Sequence, residues 1–190
     1  MLLNPKDIIL PTQDVDGRFG LRTSKRIIRS EADIRKTLDA CIGTLDAEHD
    51  VHFYSFGHFN LVRLVVHILE QTGSAHLFMS SYSFNKRGIE QLSSKLSNGE
   101  ILSFRLLIDH RVKVMSPKPF DMIMRCFDYR CSSIHSKVAL IWNEKWNISV
   151  VTSQNATDNP KMERGTIFTG KDVFDFDLKM MEHEFYKGTA

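Results

Sequence analysis

The sequence is poor in cysteine, balanced in charge and without a long apolar run, and each shortage closes off a class of protein. Its three cysteines, Cys41, Cys126 and Cys131, are odd in number and lack C-x-x-C spacing, so neither a disulfide framework nor a redox centre is indicated. They read as buried thiols, with zinc held by Cys126, Cys131 and a histidine as the alternative. No apolar stretch approaches the roughly 20 residues that span a bilayer. The longest, Leu61 to Leu69, contains Arg63 and His67 and reads as a core helix. Near the N-terminus, Lys6 and the apolar Ile8 to Leu10 are followed at once by Pro11 and Asp14, which is not the pattern of a secretory signal. The expectation is a cytoplasmic protein that does not engage a membrane. The formal net charge is only +2. It is unevenly spread: from Arg111 to Lys145, seven Lys or Arg face three Asp or Glu, a local balance of +4. Such a stretch matters if it borders a phosphate-handling site.

What is present fits one domain. A chain of 190 residues with 42% hydrophobic and 25% charged residues can bury a sizeable core. Residues 1–30 carry scattered Pro, Gly and charge and read as an irregular or lightly stranded segment; 31–190 reads as the single domain. Ser30 is placed to cap a helix through Ile34, Leu38, Cys41 and Ile42. Strand and helix then alternate: strand 51–56, helix 60–71, strand 75–80, helix 85–96, strand 101–108. This rhythm implies parallel strands with crossover helices, an α/β layer fold. A short helical stretch follows Pro117. The runs 133–142 and 146–153, separated by three residues, predict an antiparallel hairpin flanked by Trp142 and Trp146, two rings suited to capping the core or stacking on a base. A short strand at 165–168 and a helix over 172–186 complete the chain. No internal repeat is visible.

Chemistry concentrates in two runs, Ile134-His135-Ser136-Lys137 and Thr152-Ser153-Gln154-Asn155. On a strand, His135 and Lys137 share a face, and burying an imidazole beside an ammonium is costly without an anion to use them. Ser153 and Asn155 add a hydroxyl and an amide across the hairpin. A nucleophile, a cation and small polar donors are what a phosphate requires. His110, at the end of the third strand, lies where α/β sheets keep ligands. His52, His58, His67 and His76 read as packing or surface residues, and His49 and His183 as solvated.

H-x-K, a hairpin, then Ser and an Asn two places on resembles the H-K-D signature of the phospholipase D superfamily. The segment Asn159 to Thr166, with Glu163 ahead of a short strand, is similar to the family's trailing stretch. The resemblance covers roughly residues 45–190. This sequence departs from the pattern at Trp142, where the family carries Asp, and at Thr152, where it carries Gly; the hairpin is also a few residues longer. The resemblance implies a mixed β-sheet flanked by helices on both faces and a metal-independent phosphodiesterase, most simply a nuclease. His135 would attack phosphorus and form a phosphohistidine. Lys137, Ser153 and Asn155 would hold the phosphate oxygens, and Glu163 would fix the ring of His135. Thr152, Arg111, Lys113 and His110 would contact the rest of the substrate. No metal or cofactor is expected. The chemistry needs a second histidine and only one H-x-K is present, so a homodimer bringing two His135 side chains together is implied, with nucleic acid as partner. The competing reading is a phosphodiester-binding module without turnover. A lipid hydrolase is disfavoured, since no membrane-surface helix is evident.

Overall fold

The structure, a computed structural model, describes residues 38–190 and, before them, the backbone of four two-residue strands. These are β1 (Arg18–Phe19), β2 (Arg22–Thr23), β3 (Arg26–Ile27) and β4 (Ser30–Glu31). β1 pairs with β4 and β2 with β3, both antiparallel. Ser30 therefore pairs with Phe19 in a ladder and caps no helix; of the expected helix, the described residues include α1 (Leu38–Ile42). The β-branched Ile27 of β3 suits an extended backbone. Ile34, expected on that helix, lies outside the described residues.

The rest of the chain is β5 (Val51–Ser55), α2 (Leu61–Thr72), β6 (Ala75–Ser81), α3 (Lys86–Ser97) and β7 (Ile101–Asp109), then α4 (Val112–Met115) and α5 (Pro117–Cys126). It ends with β8 (Asp128–Ser132), β9 (Val138–Trp142), β10 (Asn147–Thr152), β11 (Glu163–Phe168) and α6 (Lys171–Lys187). One sheet takes seven of these strands in the order β5-β11-β10-β9-β6-β7-β8. β6, β7 and β8 run parallel, and every other neighbouring pair is antiparallel. The sheet is thus mixed, and β5 and β6 are separated by the three later strands rather than adjacent.

Side-chain alternation along the central strands builds the two layers. Leu77, Met79, Leu106, Ala139 and Ile141 enter the larger core, with Leu61, Leu64, Val65 and Ile68 of α2, Ile89 and Leu92 of α3 and Ile123 of α5. Phe78, Leu107 and Leu140 point the other way, against Phe174, Met181 and Phe185 of α6. Helices therefore cover both faces. At the β9–β10 turn, Trp142 stacks on His76 with ring centroids 5.3 Å apart and meets Phe174 at 5.7 Å, and Trp146 packs against the larger core. Both rings serve packing. No helix among the described residues is long and apolar enough to cross a membrane.

A single carboxylate joins two helix starts. Asn60 and Asn85 cap α2 and α3 by accepting from the backbone N–H of Arg63 at 3.0 Å and of Gly88 at 2.7 Å, the usual use of asparagine there. Their amide nitrogens both donate to Asp158, at 2.8 and 3.2 Å. Leu61 N–H donates to the carbonyl of Asn155 and Asn85 N–H to that of Ala156. Residues 155–158 are therefore clamped between the two helix N-termini.

Candidate active site

The C-terminal ends of β6, β7 and β10 and the N-terminal ends of β9 and β11 meet at one end of the sheet, the end where open α/β sheets bind ligands. His135 and Lys137 stand there, but in the extended segment leading into β9, which begins at Val138. The Lys137 carbonyl still accepts from Thr152 N–H at 3.0 Å, so the ladder reaches one residue past the strand and no further. Ser136, between them, bonds Ser80 at 3.0 Å. The ammonium is buried, with Lys137 only 6% exposed, while the His135 ring is exposed. A shared buried face, read from strand alternation, is therefore corrected to a buried cation beneath an accessible imidazole. Lys137 Nζ lies 3.1 Å from Nδ1 of His135.

Glu163 opens β11 and gathers the opposite side. Its carboxylate accepts from Ser153 Oγ and, at 2.6 Å, from Asn159 Nδ2. Each of those oxygens takes one bond and keeps a lone pair for a further donor. Burial pushes the Lys137 ammonium below the ordinary lysine range, and the nearby Glu163 carboxylate offsets part of that. Asn155 is half-buried, and its Oδ1 is buried without a hydrogen-bond partner among the described residues. An unmet polar atom of this kind is costly unless a water or ligand meets it. Thr152 is buried, its hydroxyl donating to the Arg164 carbonyl at 3.1 Å and accepting from Gln154 N–H. It supports the strand end rather than facing solvent.

Of the basic stretch, Arg111 and Lys137 converge. Lys113 lies 5.5 Å from the Phe120 ring and within 3.5 Å of the Ala190 carbonyl, Arg130 packs on Phe185, and Lys145 sits on the β9–β10 turn at the far end of the sheet. His110 is exposed just past β7. A ring that carries no sequence motif links the two cations: Tyr82, the first residue after β6. Its ring centroid is 5.2 Å from that of His135 and 4.6 Å from the Arg111 guanidinium carbon, with Lys137 Nζ at 5.9 Å. The one available signal was its place directly beyond a buried strand. Cys131 is buried, and burial pushes its thiol up. Among the described residues no group of three or more His, Cys, Asp or Glu is placed to hold a metal ion.

The lowered Lys137 sets a pH expectation. An ammonium binds anions only while protonated, so a depressed pKa means that its charge is lost at a lower pH than the usual value of about 10.4. Affinity for a fluorescent phosphate-bearing anion should fall on the alkaline side before ordinary lysines titrate. Lys137→Arg should move that limb upward, because guanidinium stays charged. Fluorescence anisotropy from neutral to alkaline pH measures both; coincident limbs would refute the assignment.

No family model matches the chain, and no curated protein does. Solved structures do. Nuc from Salmonella typhimurium, a phospholipase D family member, superposes with a TM-score of 0.55 at 15% identity, over 73% of this chain and 95% of that one. NucT from Helicobacter pylori gives 0.55 at 15% identity, over 74% and 99%. Polyphosphate kinase from Porphyromonas gingivalis gives 0.54 at 13%, over 71% of this chain and 26% of that one. At such identities the likeness is one of fold, and the fold of this chain is that of the phospholipase D superfamily.

Proposed function

We propose that this chain, built on the phospholipase D fold, is a metal-independent phosphodiesterase that cleaves nucleic acid through a phosphohistidine intermediate as a homodimer. One observation carries the reading: a buried ammonium lies against an exposed imidazole at the sheet end where Ser153, Asn155 and Glu163 gather. A buried cation without a bonded carboxylate is stabilised when an anion arrives.

The steps follow from charge and proton accounting. While Lys137 donates to Nδ1, the neutral ring carries its proton on Nε2 and cannot attack from there. An arriving phosphate draws the ammonium onto its own oxygens, Nδ1 takes the ring proton, and Nε2 is freed. Attack forms the N–P bond and breaks the bond from phosphorus to the leaving oxygen, which takes a proton from a second histidine. Water, deprotonated by that histidine, then breaks the N–P bond and releases a phosphate monoester. Asn155, through its amide nitrogen, and Lys137 hold the oxygens throughout.

The second histidine comes from a second copy of the chain. In support, the exposed apolar side chains Val114, Met115 and Met162 lie on segments flanking the site, where a two-fold partner would cover them. Cleavage of single- and double-stranded DNA in EDTA, with mass measured by sedimentation, tests the reading. The expected result is EDTA-resistant cleavage by a species of two chains, lost in mixed dimers with one His135→Ala chain. A fully active monomer would sink the dimer. Trp142, packed against His76 and Phe174 where the family pattern carries Asp, favours the other reading, a binding module. Tight binding without cleavage would select it.

A further inference from the structure

Arg111 is a surface arginine that has already given up its freedom. Its side chain is 60% exposed, yet Nε and Nη2 donate to the two oxygens of Asp109 at 2.7 and 3.1 Å. Its backbone N–H donates to the same carboxylate at 2.9 Å, and its guanidinium lies over the Tyr82 ring. The Asp109 side chain is 2% exposed, and the hydrogen bonds from Arg111 hold its carboxyl below the usual carboxylate range. The anchor is therefore rigid and stays ionised. Of the five guanidinium N–H groups, three remain unspent, on the edge turned away from Asp109. A flexible arginine loses rotamer entropy on binding an anion; here that loss has already been taken in folding. Because both stand on one Tyr82 ring, the guanidinium carbon and the His135 ring centroid are no more than about 10 Å apart. That bound accommodates the spacing of neighbouring phosphates along a nucleic-acid strand.

We propose that Arg111, fixed by Asp109 and Tyr82, is a second phosphate subsite next to the diester held at His135 and Lys137. The substrate is then an internal linkage of a polynucleotide rather than a diester with a single phosphate. This rests on the phosphodiesterase reading above and narrows it. Beyond its charge, Arg111 contributes a preset fork of donors, which lysine cannot replace.

The test compares wild type, Arg111→Ala and Arg111→Lys on bis(p-nitrophenyl) phosphate, which has one phosphate, and on a single-stranded oligonucleotide. The ratio of kcat/KM for the oligonucleotide to that for the small diester should drop about tenfold or more in Arg111→Ala, and nearly as far in Arg111→Lys. The slope of log affinity against log salt for the oligonucleotide should become shallower by about 0.7 in Arg111→Ala. Equal losses on both substrates, or an unchanged slope, overturn the subsite. Should wild type cleave neither substrate, the phosphodiesterase reading fails while the binding slope still decides Arg111. If Arg111→Ala does not fold because Asp109 is left buried and unpaired, the Asp109→Asn/Arg111→Ala double variant measured against Asp109→Asn carries the same comparison.

Discussion

On the phosphohistidine route proposed above, His135→Ala should lower diester cleavage by at least about a thousandfold, because removing the covalent nucleophile removes both steps. Its unfolding free energy should stay within about 0.5 kcal/mol of wild type, as for most exposed positions; the ring is exposed and holds no element of the core. Lys137→Met should match it in activity but not in stability. The ammonium is buried and pushed toward its neutral form, so folding opposes its charge, and an apolar chain of similar length relieves that opposition. We therefore expect Lys137→Met to unfold at the same urea concentration as wild type or a higher one. Cleavage retained in either variant rules out the mechanism. A marked loss of stability in Lys137→Met would show that the residue is structural.

Gly165→Ala should be the most damaging small substitution for the fold. A Cβ there would stand 2.3 Å from Cζ and 2.7 Å from Cε1 of Phe53, and 2.9 Å from Oγ1 of Thr152. Gly165 faces Phe53 of β5 on one side and Thr152 of β10 on the other, and Phe53 is fully buried. Neither neighbour can retreat without opening the core or the strand end. A cost of about 3 kcal/mol, the upper part of the range for overpacking, is expected. Activity should fall with it, since Glu163 lies two residues away and Ser153 adjoins Thr152. Urea denaturation of Gly165→Ala, with and without Phe53→Leu, measures both the loss and its partial repair. A midpoint unchanged from wild type would contradict the contact.

The elements that could be read beforehand are those whose period decides their burial. α2, α3 and α6, and strands β5, β6, β7, β9 and β10, each present a stripe or alternation that only one structure satisfies. β8 went unread because Asp128-Tyr129-Arg130-Cys131-Ser132 is polar and short; it is tolerated at the sheet edge, where one side has no partner strand. Strand order was also illegible. The pairing of β6 with β9 joins segments about sixty residues apart in the chain, and no local pattern encodes it. That pairing is what brings Tyr82 to His135, so the aromatic support was missed together with the topology. His135, Lys137, Ser153, Asn155 and Glu163 could be singled out as a set because their residue types and spacing are unusual together. Their burial could not: alternation holds on a ladder, and the chain leaves its ladder just before Lys137. Proximity in sequence misled in the same way for the basic stretch, which the fold distributes to both ends of the sheet.

The Asp158 tie between the α2 and α3 caps has a consequence for how this protein can hold phosphate. Many phosphate sites use the backbone amides at a helix start, donors that do not titrate and that chemical modification cannot remove. Here the polar groups at two such starts are already joined through one carboxylate, which brings a negative charge to the place an incoming phosphate would otherwise favour. Attraction for the ligand must then come from side chains, chiefly an amine. Under the function proposed above, such a grip can be erased by acylating one lysine.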